Sequence, residues 1–518
     1  MAVVSPLSSE PNQPLLPAEP PLRAEPRGAH PPTSPSPLAL LWWCFPILLV
    51  MALTLAAVAQ PFLLRALSPT DLAYYHQSLW SATHGLGFAQ TVLQFDGSSL
   101  LGSLHLDLIR VALVPAYALW PSVYLLVSLQ AVGIGLAAWL TARLFALPPA
   151  EPAPAEPAHA EPWLLPCVMT LACLHPLSIE LALADFRPLV LMVPGTLLTL
   201  WALERQRLSW MVVGGLITMT AREEGWQVLG ALLPYAGIRA WRTPSEFRPL
   251  AIRSCWMLLS LTLLGLSLPL LAWGKLSQLS ATASWRDVLA QLQAGERPLF
   301  RSPDEAQLAG WSLWVFFPAL CVPELLLPAL AAVGVLTVLS PFEGVGPAGR
   351  GVHYWSVVQP LLLSAWALGL VRVRAWMGTR ARVGIPLMLL CTGLLMLSGA
   401  RQQLHRLEQL LTHLSQPSEA LRDLHEQLAP LHASGEALLV SPALSGLMAN
   451  RAHLRVVGEA RLDPHYLQET VQQVDAAVLE REGSDELRTW QLRLEQAGFE
   501  PVMEVAGYVF WRKRGTSP

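Results

Sequence analysis

Between Leu38 and Leu64 no side chain carries a formal charge, and about 20 apolar residues suffice to cross the hydrocarbon core of a bilayer. Comparable apolar runs, separated by charged or Pro-containing breaks, recur at about 123–146, 163–183, 189–203, 208–221, 226–240, 255–273, 309–323, 325–340, 355–371 and 384–399. Read as helices, they make about 11 membrane spans. The two runs flanking Pro323 can also be one broken or re-entrant element. The stretch from about Leu104 to Trp120 departs from the pattern with Asp107, Arg110 and Pro115, which suits a helix lying at the membrane surface. After Gly399 the pattern becomes amphipathic, with helical periodicity at 402–414 and 419–431. Short apolar runs at 437–440, 454–457, 476–479 and 508–511 then alternate with helical stretches near 464–473 and 485–496, the mark of a small α/β unit. The expected fold class is an α-helical polytopic membrane protein. Its membrane domain covers 38–400, with an external loop at 65–122, and a small α/β domain covers 401–518.

Orientation follows from the arginines, because short cytoplasmic loops collect Lys and Arg. Arg239, Arg242, Arg248 and Arg253 share one loop, and Arg372, Arg374, Arg380 and Arg382 share another. With an odd number of spans both loops fall on the side of residues 1–37, which are Pro-rich and expected to be a disordered cytoplasmic tail. The C-terminal unit then lies outside the cell's plasma (inner) membrane. So do the loop after the first span, the Asp185-Phe-Arg-Pro188 turn, the Arg222-Glu-Glu224 turn and the His353-Tyr354 turn. The first apolar run begins too late and is too long for a cleavable signal, and is expected to stay as a span. The Ala-Glu-Pro repeats of 148–162 read as a flexible connector.

Composition agrees: 53% of the 518 residues are hydrophobic and 14% are charged, against about a quarter charged in soluble chains. A net charge of −3 spread over many loops gives no reason to expect nucleic acid. All six cysteines lie in apolar segments, where a thiol acts as a small hydrophobe. No metal-ligand spacing and no Gly-rich phosphate loop is present, so neither a metal nor a cofactor is expected.

Candidate chemistry clusters in the outer loops. From Ala66 to Ile109 there is no Lys or Arg, while Asp71, Asp96, Asp107, His76, His84 and His105 are present. Asp71 either begins a helix capped by Thr70 or serves as a general base towards a hydroxyl acceptor, with Tyr75 and Ser78 on the same helical face. His105 is either a hydrogen-bonding residue or, with the acids nearby, a ligand of a divalent metal, although no spacing singles out a metal set. Asp185 and Arg187 either pair with each other across their turn or face a wet cavity, since each charge in the hydrocarbon costs about 2.5–3.5 kcal/mol. The same holds for Arg222 and Glu223, and a guanidinium in either turn is suited to a lipid-linked phosphate.

The run Asp71-Leu-Ala-Tyr-Tyr-His-Gln-Ser-Leu-Trp80, followed by His84-Gly85, Leu101-Gly-Ser-Leu-His105, Pro115-Ala-Tyr117, Trp120-Pro121 and Gln130, resembles the prokaryotic membrane-protein family known as domain of unknown function 2079. Asp185-Phe-Arg-Pro188, Arg222-Glu-Glu224 and His353-Tyr354 continue the resemblance, which covers about 65–510. The chain departs from that family at Arg187, where a His is usual. The layout is also similar to that of the C-type membrane glycosyltransferases, which place a catalytic acid just after the first span and use polyprenyl-phosphate sugars. Asp71 stands at that acid's place. The resemblance implies a membrane glycosyltransferase working on the outer face, with Asp71 catalytic and Tyr75, His105, Asp185, Arg187, Arg222, Glu223, His353 and Tyr354 binding substrate. A transporter or flippase of a lipid-linked or polar substrate, or a non-catalytic envelope protein, stays open as an alternative.

Overall fold

A computed structural model describes residues 37–65, 69–92, 106–147, 163–273, 317–343, 355–457, 464–482 and 485–515. The expected tail, the connector at 148–162, and His105, His353 and Tyr354 lie outside the described residues. Helices dominate as far as residue 434. They are α1 (Pro37–Phe62), α2 (Pro69–Thr83), α3 (Ile109–Leu119), α4 (Val123–Phe145), α5 (Leu164–Leu174), α6 (Pro176–Leu183), α7 (Met192–Glu204) and α8 (Leu208–Ala221). There follow α9 (Gly225–Ala231), α10 (Leu233–Arg242), α11 (Arg248–Trp273), α12 (Pro323–Glu343), α13 (Gln359–Met377), α14 (Ala381–Gly399), α15 (Arg401–Ser415) and α16 (Glu419–Ser434).

By length and composition, four helical stretches among the described residues can cross a membrane, and a fifth does so if α5 and α6 form one span bent by 62°. Pro176 makes that bend: it has no N–H to donate, and it holds the preceding His175 outside helical geometry at ψ 128°. The expected spans at 189–203, 208–221 and 226–240 appear as shorter helices, the last broken between α9 and α10. The stretch Trp355–Gly399 is 45 residues long, about twice what a bilayer core needs, and Gly378 interrupts it at φ +54°.

Contacts at the helix ends sort them into two sets. At one end, Trp42 of α1 meets Trp163 at the start of α5 with ring centroids 6.3 Å apart. The Arg374 guanidinium donates to the Leu147 carbonyl just past α4 (2.9 Å), and Arg239 pairs with Glu204 (2.7 Å). At the other end, Gln60 of α1 donates to the Leu183 carbonyl of α6 (2.6 Å), and Arg406 of α15 bonds to Gln60 and to Glu180. Arg374 and Arg406 bracket α14, which therefore runs from the first end to the second. Small residues draw α7 and α8 together, since a Cβ on Gly214 would lie 2.6 Å from the Thr199 amide nitrogen. Close backbone approach of this kind is how apolar helices gain packing contact.

The C-terminal α/β unit is built on β1 (Leu438–Val440), β2 (Leu454–Val456), β3 (Ala476–Glu480), β4 (Phe499–Val505) and β5 (Tyr508–Lys513), with α17 (Pro442–Met448), α18 (Pro464–Gln473) and α19 (Asp485–Gln496). The sheet order is β2-β1-β3-β5-β4, parallel from β2 to β3 and antiparallel beyond. Ala506 and Gly507, at φ 53° and 80°, form the two-residue turn between β4 and β5, as the twist of a hairpin favours. Alternation along the strands gives the sheet two apolar faces. Leu439, Ala477, Leu479 and Trp511 pack on Leu467, Trp490 and Leu494 of α18 and α19. Leu438, Val440, Val478 and Phe510 belong instead to the apolar core that continues into the helical bundle.

Candidate functional site

Helix α2 starts at Pro69, so Thr70 is its second residue and is buried inside it rather than standing as the cap expected from the sequence. Proline is favoured at a first helical position, where its missing N–H has no partner to lose. Asp71 falls in the first turn. Its carboxylate pairs with the Arg187 guanidinium, Asp71 being 36% exposed and Arg187 14%. The sequence left open an Asp185–Arg187 pair across the turn; the structure gives the Arg187 side chain a partner on α2, Asp71. Asp185 is buried in the same turn, while Arg187 reaches across to α2.

Two features deliver Arg187. Pro188 restricts the residue before it to extended backbone, and Arg187 sits at φ −141°, ψ 127°. Gln130, fully buried in α4, accepts the Arg187 backbone N–H at Oε1 (2.9 Å). The Nε2 of Gln130 donates to the carbonyls of Leu181 (2.9 Å) and Ala184 (2.6 Å), taking up acceptors that the end of α6 leaves open. One amide on a membrane-length helix therefore holds the turn that carries Arg187.

Tyr75 lies one helical turn beyond Asp71, and its hydroxyl donates to Asp107 Oδ2 (2.9 Å). Burial, then the charge of Asp107, pushes its ionisation well above the usual phenol range, with Arg222 and Arg187 acting in the opposite sense. Tyr75 is therefore a fixed protonated donor committed to Asp107, and the charges of both arginines reach it. Arg110 is also fully buried. It donates to Ser78 Oγ (2.9 Å) and to the Tyr74 hydroxyl (3.3 Å), with its guanidinium 5.6 Å from the Tyr74 and Phe88 ring centroids. Asp107 and Arg110 thus turn inward and bind α3 to α2, while Val111, Leu119 and Trp120 of the same segment stay exposed, as a surface-lying helix requires.

Arg222 ends α8 in extended conformation, 3% exposed, with its Nε 3.2 Å from Glu224 Oε2 and 3.6 Å from Glu223 Oε1. Glu223 Oε2 accepts the Leu106 N–H (3.0 Å), which ties this turn to the segment carrying Asp107. Gly225 closes the turn, because a Cβ there would meet the Thr218 carbonyl oxygen at 2.2 Å. The structure thus gathers Asp71, Tyr75, Arg187, Arg222 and Glu223 into one region with Asp107 and Arg110. No group of three or more His, Cys, Asp or Glu side chains able to hold a metal occurs among the described residues. A half-exposed carboxylate beside a guanidinium is suited to proton transfer and to binding a phosphate. Gln130 and Arg110 had no role assigned from sequence. Their signal was a strongly polar side chain within an apolar run, which is costly unless its bonds are satisfied.

The sequence matches the family described as Predicted membrane protein (DUF2079) over residues 64–510. The chain belongs to this family. No curated protein matches the sequence. Among solved structures, this DUF2079 protein is similar to the crystal structure of ArnT from Cupriavidus metallidurans bound to undecaprenyl phosphate, with a TM-score of 0.54 and 13% identity over 91% of this chain and 99% of that chain. At that identity the likeness concerns the fold, and it bears out the C-type glycosyltransferase-like layout read from the sequence.

Proposed function

We propose that this DUF2079 protein is an integral-membrane glycosyltransferase that moves a sugar from a polyprenyl-phosphate donor to a hydroxyl acceptor. The observation that carries this reading is the Asp71–Arg187 pair at the opening of α2, in a fold shared with a protein solved with undecaprenyl phosphate bound. In the resting state each charge occupies the other. The donor's phosphate competes for the Arg187 guanidinium, whose planar fork can take two oxygens at once, and so leaves the carboxylate open to the acceptor. The acceptor hydroxyl attacks the anomeric carbon and its proton passes to Asp71. The bond from the anomeric carbon to the phosphate oxygen breaks, and the electron pair leaves with the polyprenyl phosphate, stabilised by Arg187. Arg222, buried behind Tyr75 and paired with acids, acts as fixed positive potential.

Full-length protein in detergent should bind undecaprenyl phosphate and release it from a matching sugar donor. Affinity for undecaprenol equal to that for undecaprenyl phosphate would remove the phosphate-binding role.

The same proposal includes eleven spans, with the helix ends near Leu147, Glu204 and Arg374 in the cytoplasm and the α/β unit outside. Its support is the arginine-rich character of that end. With the six native cysteines replaced by alanine, Arg488→Cys should react with an impermeant thiol reagent in cells stripped of any outer barrier, and Ser245→Cys should not. Labelling confined to Ser245→Cys would invert the orientation.

A further inference from the structure

His76 and Gln77 belong to the α2 motif, yet neither points at the Asp71–Arg187 pair. Successive residues of a helix turn by about 100°, so the side that follows Asp71 and Tyr75 presents Leu72 and His76, and this side meets α17. The His76 Nδ1 lies 2.8 Å from the Gly446 carbonyl oxygen. A carbonyl only accepts, so the ring carries its hydrogen on Nδ1, and burial keeps it neutral by pushing its pKa down to about 4. Gly446 admits the contact, since a Cβ there would come within 3.0 Å of Leu72 Cδ2.

Gln77 continues the joint. Its Oε1 accepts the Thr91 N–H (2.7 Å), and its Nε2 donates to Thr91 Oγ1 (3.0 Å) and to the Arg451 carbonyl (3.0 Å). Thr91 in turn donates to the Leu454 carbonyl and accepts the Leu454 N–H, both at 2.9 Å. Leu454 is in β2, an outer strand of the sheet. A side chain from the loop after α2 thus occupies the backbone groups that an edge strand leaves open.

We propose that the C-terminal α/β unit sets the position of α2, with His76 and Gln77 as positioning residues that fix the helix carrying Asp71 to the 446–454 segment. That α2 is the catalytic helix rests on the glycosyltransferase reading, whereas the coupling of α2 to the C-terminal unit does not. An event on that unit, such as a bound acceptor or partner, then reaches Asp71 through this joint.

The test uses the full-length protein in detergent. His76→Ala and Gln77→Leu should each raise hydrogen exchange in 69–92 by about 5–10-fold, the size expected for losing a buried hydrogen bond, with α4, α7 and α8 unchanged. His76→Asn, which keeps one donor, should restore part of the protection. The decisive variant adds a tether. A Cβ at 446 would lie 3.8 Å from the Leu72 Cβ, inside the range of about 3.5–4.5 Å for a disulfide. In the cysteine-free background, Leu72→Cys with Gly446→Cys should therefore close on oxidation. Added to His76→Ala, the closed disulfide should return the exchange of 69–92 to the wild-type rate, and reduction should release it. Failure of the disulfide to close, or unchanged exchange of 69–92 in both single variants, overturns the proposal. Failure of the tether to rescue His76→Ala, leaving a purely local defect, overturns it as well. Undecaprenyl phosphate binding, measured on the same samples, reports on the glycosyltransferase reading separately.

Discussion

Asp71→Asn should leave a normally inserted, folded protein whose turnover of a polyprenyl-phosphate sugar falls by roughly 10²–10⁴-fold, the usual loss for a general base. Asparagine keeps a side-chain oxygen able to accept from Arg187 and nearly the same volume. What it lacks is the negative charge and the capacity to take a proton. The structural cost is small, because the carboxylate is 36% exposed, and a partly solvated ion pair or a first-turn acid is worth about 1 kcal/mol or less. Thermal unfolding and turnover therefore separate the two roles. Arg187→Gln should act in a complementary way, weakening undecaprenyl phosphate binding by about tenfold or more if its guanidinium holds the phosphate by a charge-assisted bond. Turnover of Asp71→Asn within about threefold of wild type, far short of the loss of a base, would leave Asp71 as a helix-start residue.

The largest stability effect should come from Arg451, which sits fully buried between α16, β1 and α17. Its Nε donates to the Met448 carbonyl (2.7 Å), Nη1 to that of Glu436 (2.8 Å) and Nη2 to that of Leu431 (2.9 Å). Burial pushes its pKa down to about 10, partly offset by Glu436, so it stays charged at neutral pH. Arg451→Met fills similar space but leaves three carbonyls without this donor, and should cost roughly 3–5 kcal/mol. The midpoint of thermal unfolding, followed by hydrogen exchange in β1, β3 and β5, reads this loss. A midpoint shift of less than a degree would mean that the carbonyls find other donors. Because Gln77 bonds to the Arg451 carbonyl, the same substitution should also loosen α2.

How much of this was legible before the fold was known depended on how local each signal was. The apolar runs placed α1, α4 and α14 to within a few residues and located α11 and α13 with one end six or seven residues short, because a membrane-length run imposes helix whatever its neighbours do. In the C-terminal unit, four strands announced themselves as short apolar runs, but β4 did not. Its sequence Phe499-Glu-Pro-Val-Met-Glu-Val505 mixes charges with a proline, and five consecutive residues of the strand are exposed. It is an edge strand with a register shift between Pro501 and Met503, the position where a sheet tolerates proline and gains from charge. The site residues were visible as residue types in turns between apolar runs, but their pairing was not. Arg187 lies beside Asp185 in sequence, yet bonds to Asp71, 116 positions away. Gln130 and Pro188, which fix the turn's backbone, bring Arg187 within reach of Asp71. An expectation built on neighbouring charges has no access to that placement.

The joint between α2 and α17 also sets an order of events during synthesis. His76 and Gly446 are separated by 370 positions, and ribosomes add about 5–20 residues per second. Roughly 20–75 s therefore pass between the appearance of the helix bearing Asp71 and that of the carbonyl that anchors it. Throughout that interval the helix has five polar residues, Thr70, His76, Gln77, Ser78 and Ser81, that are buried in the finished protein, and His76 and Gln77 wait for acceptors that do not yet exist. A chaperone or a translocation partner that shelters the first loop for about a minute would act on this protein before the segment carrying Gly446 is made. A ribosome that stalls before residue 446 would leave a bundle whose proposed catalytic helix still meets α3 but lacks its C-terminal support, silent on this reading although every side chain proposed for catalysis had been synthesised.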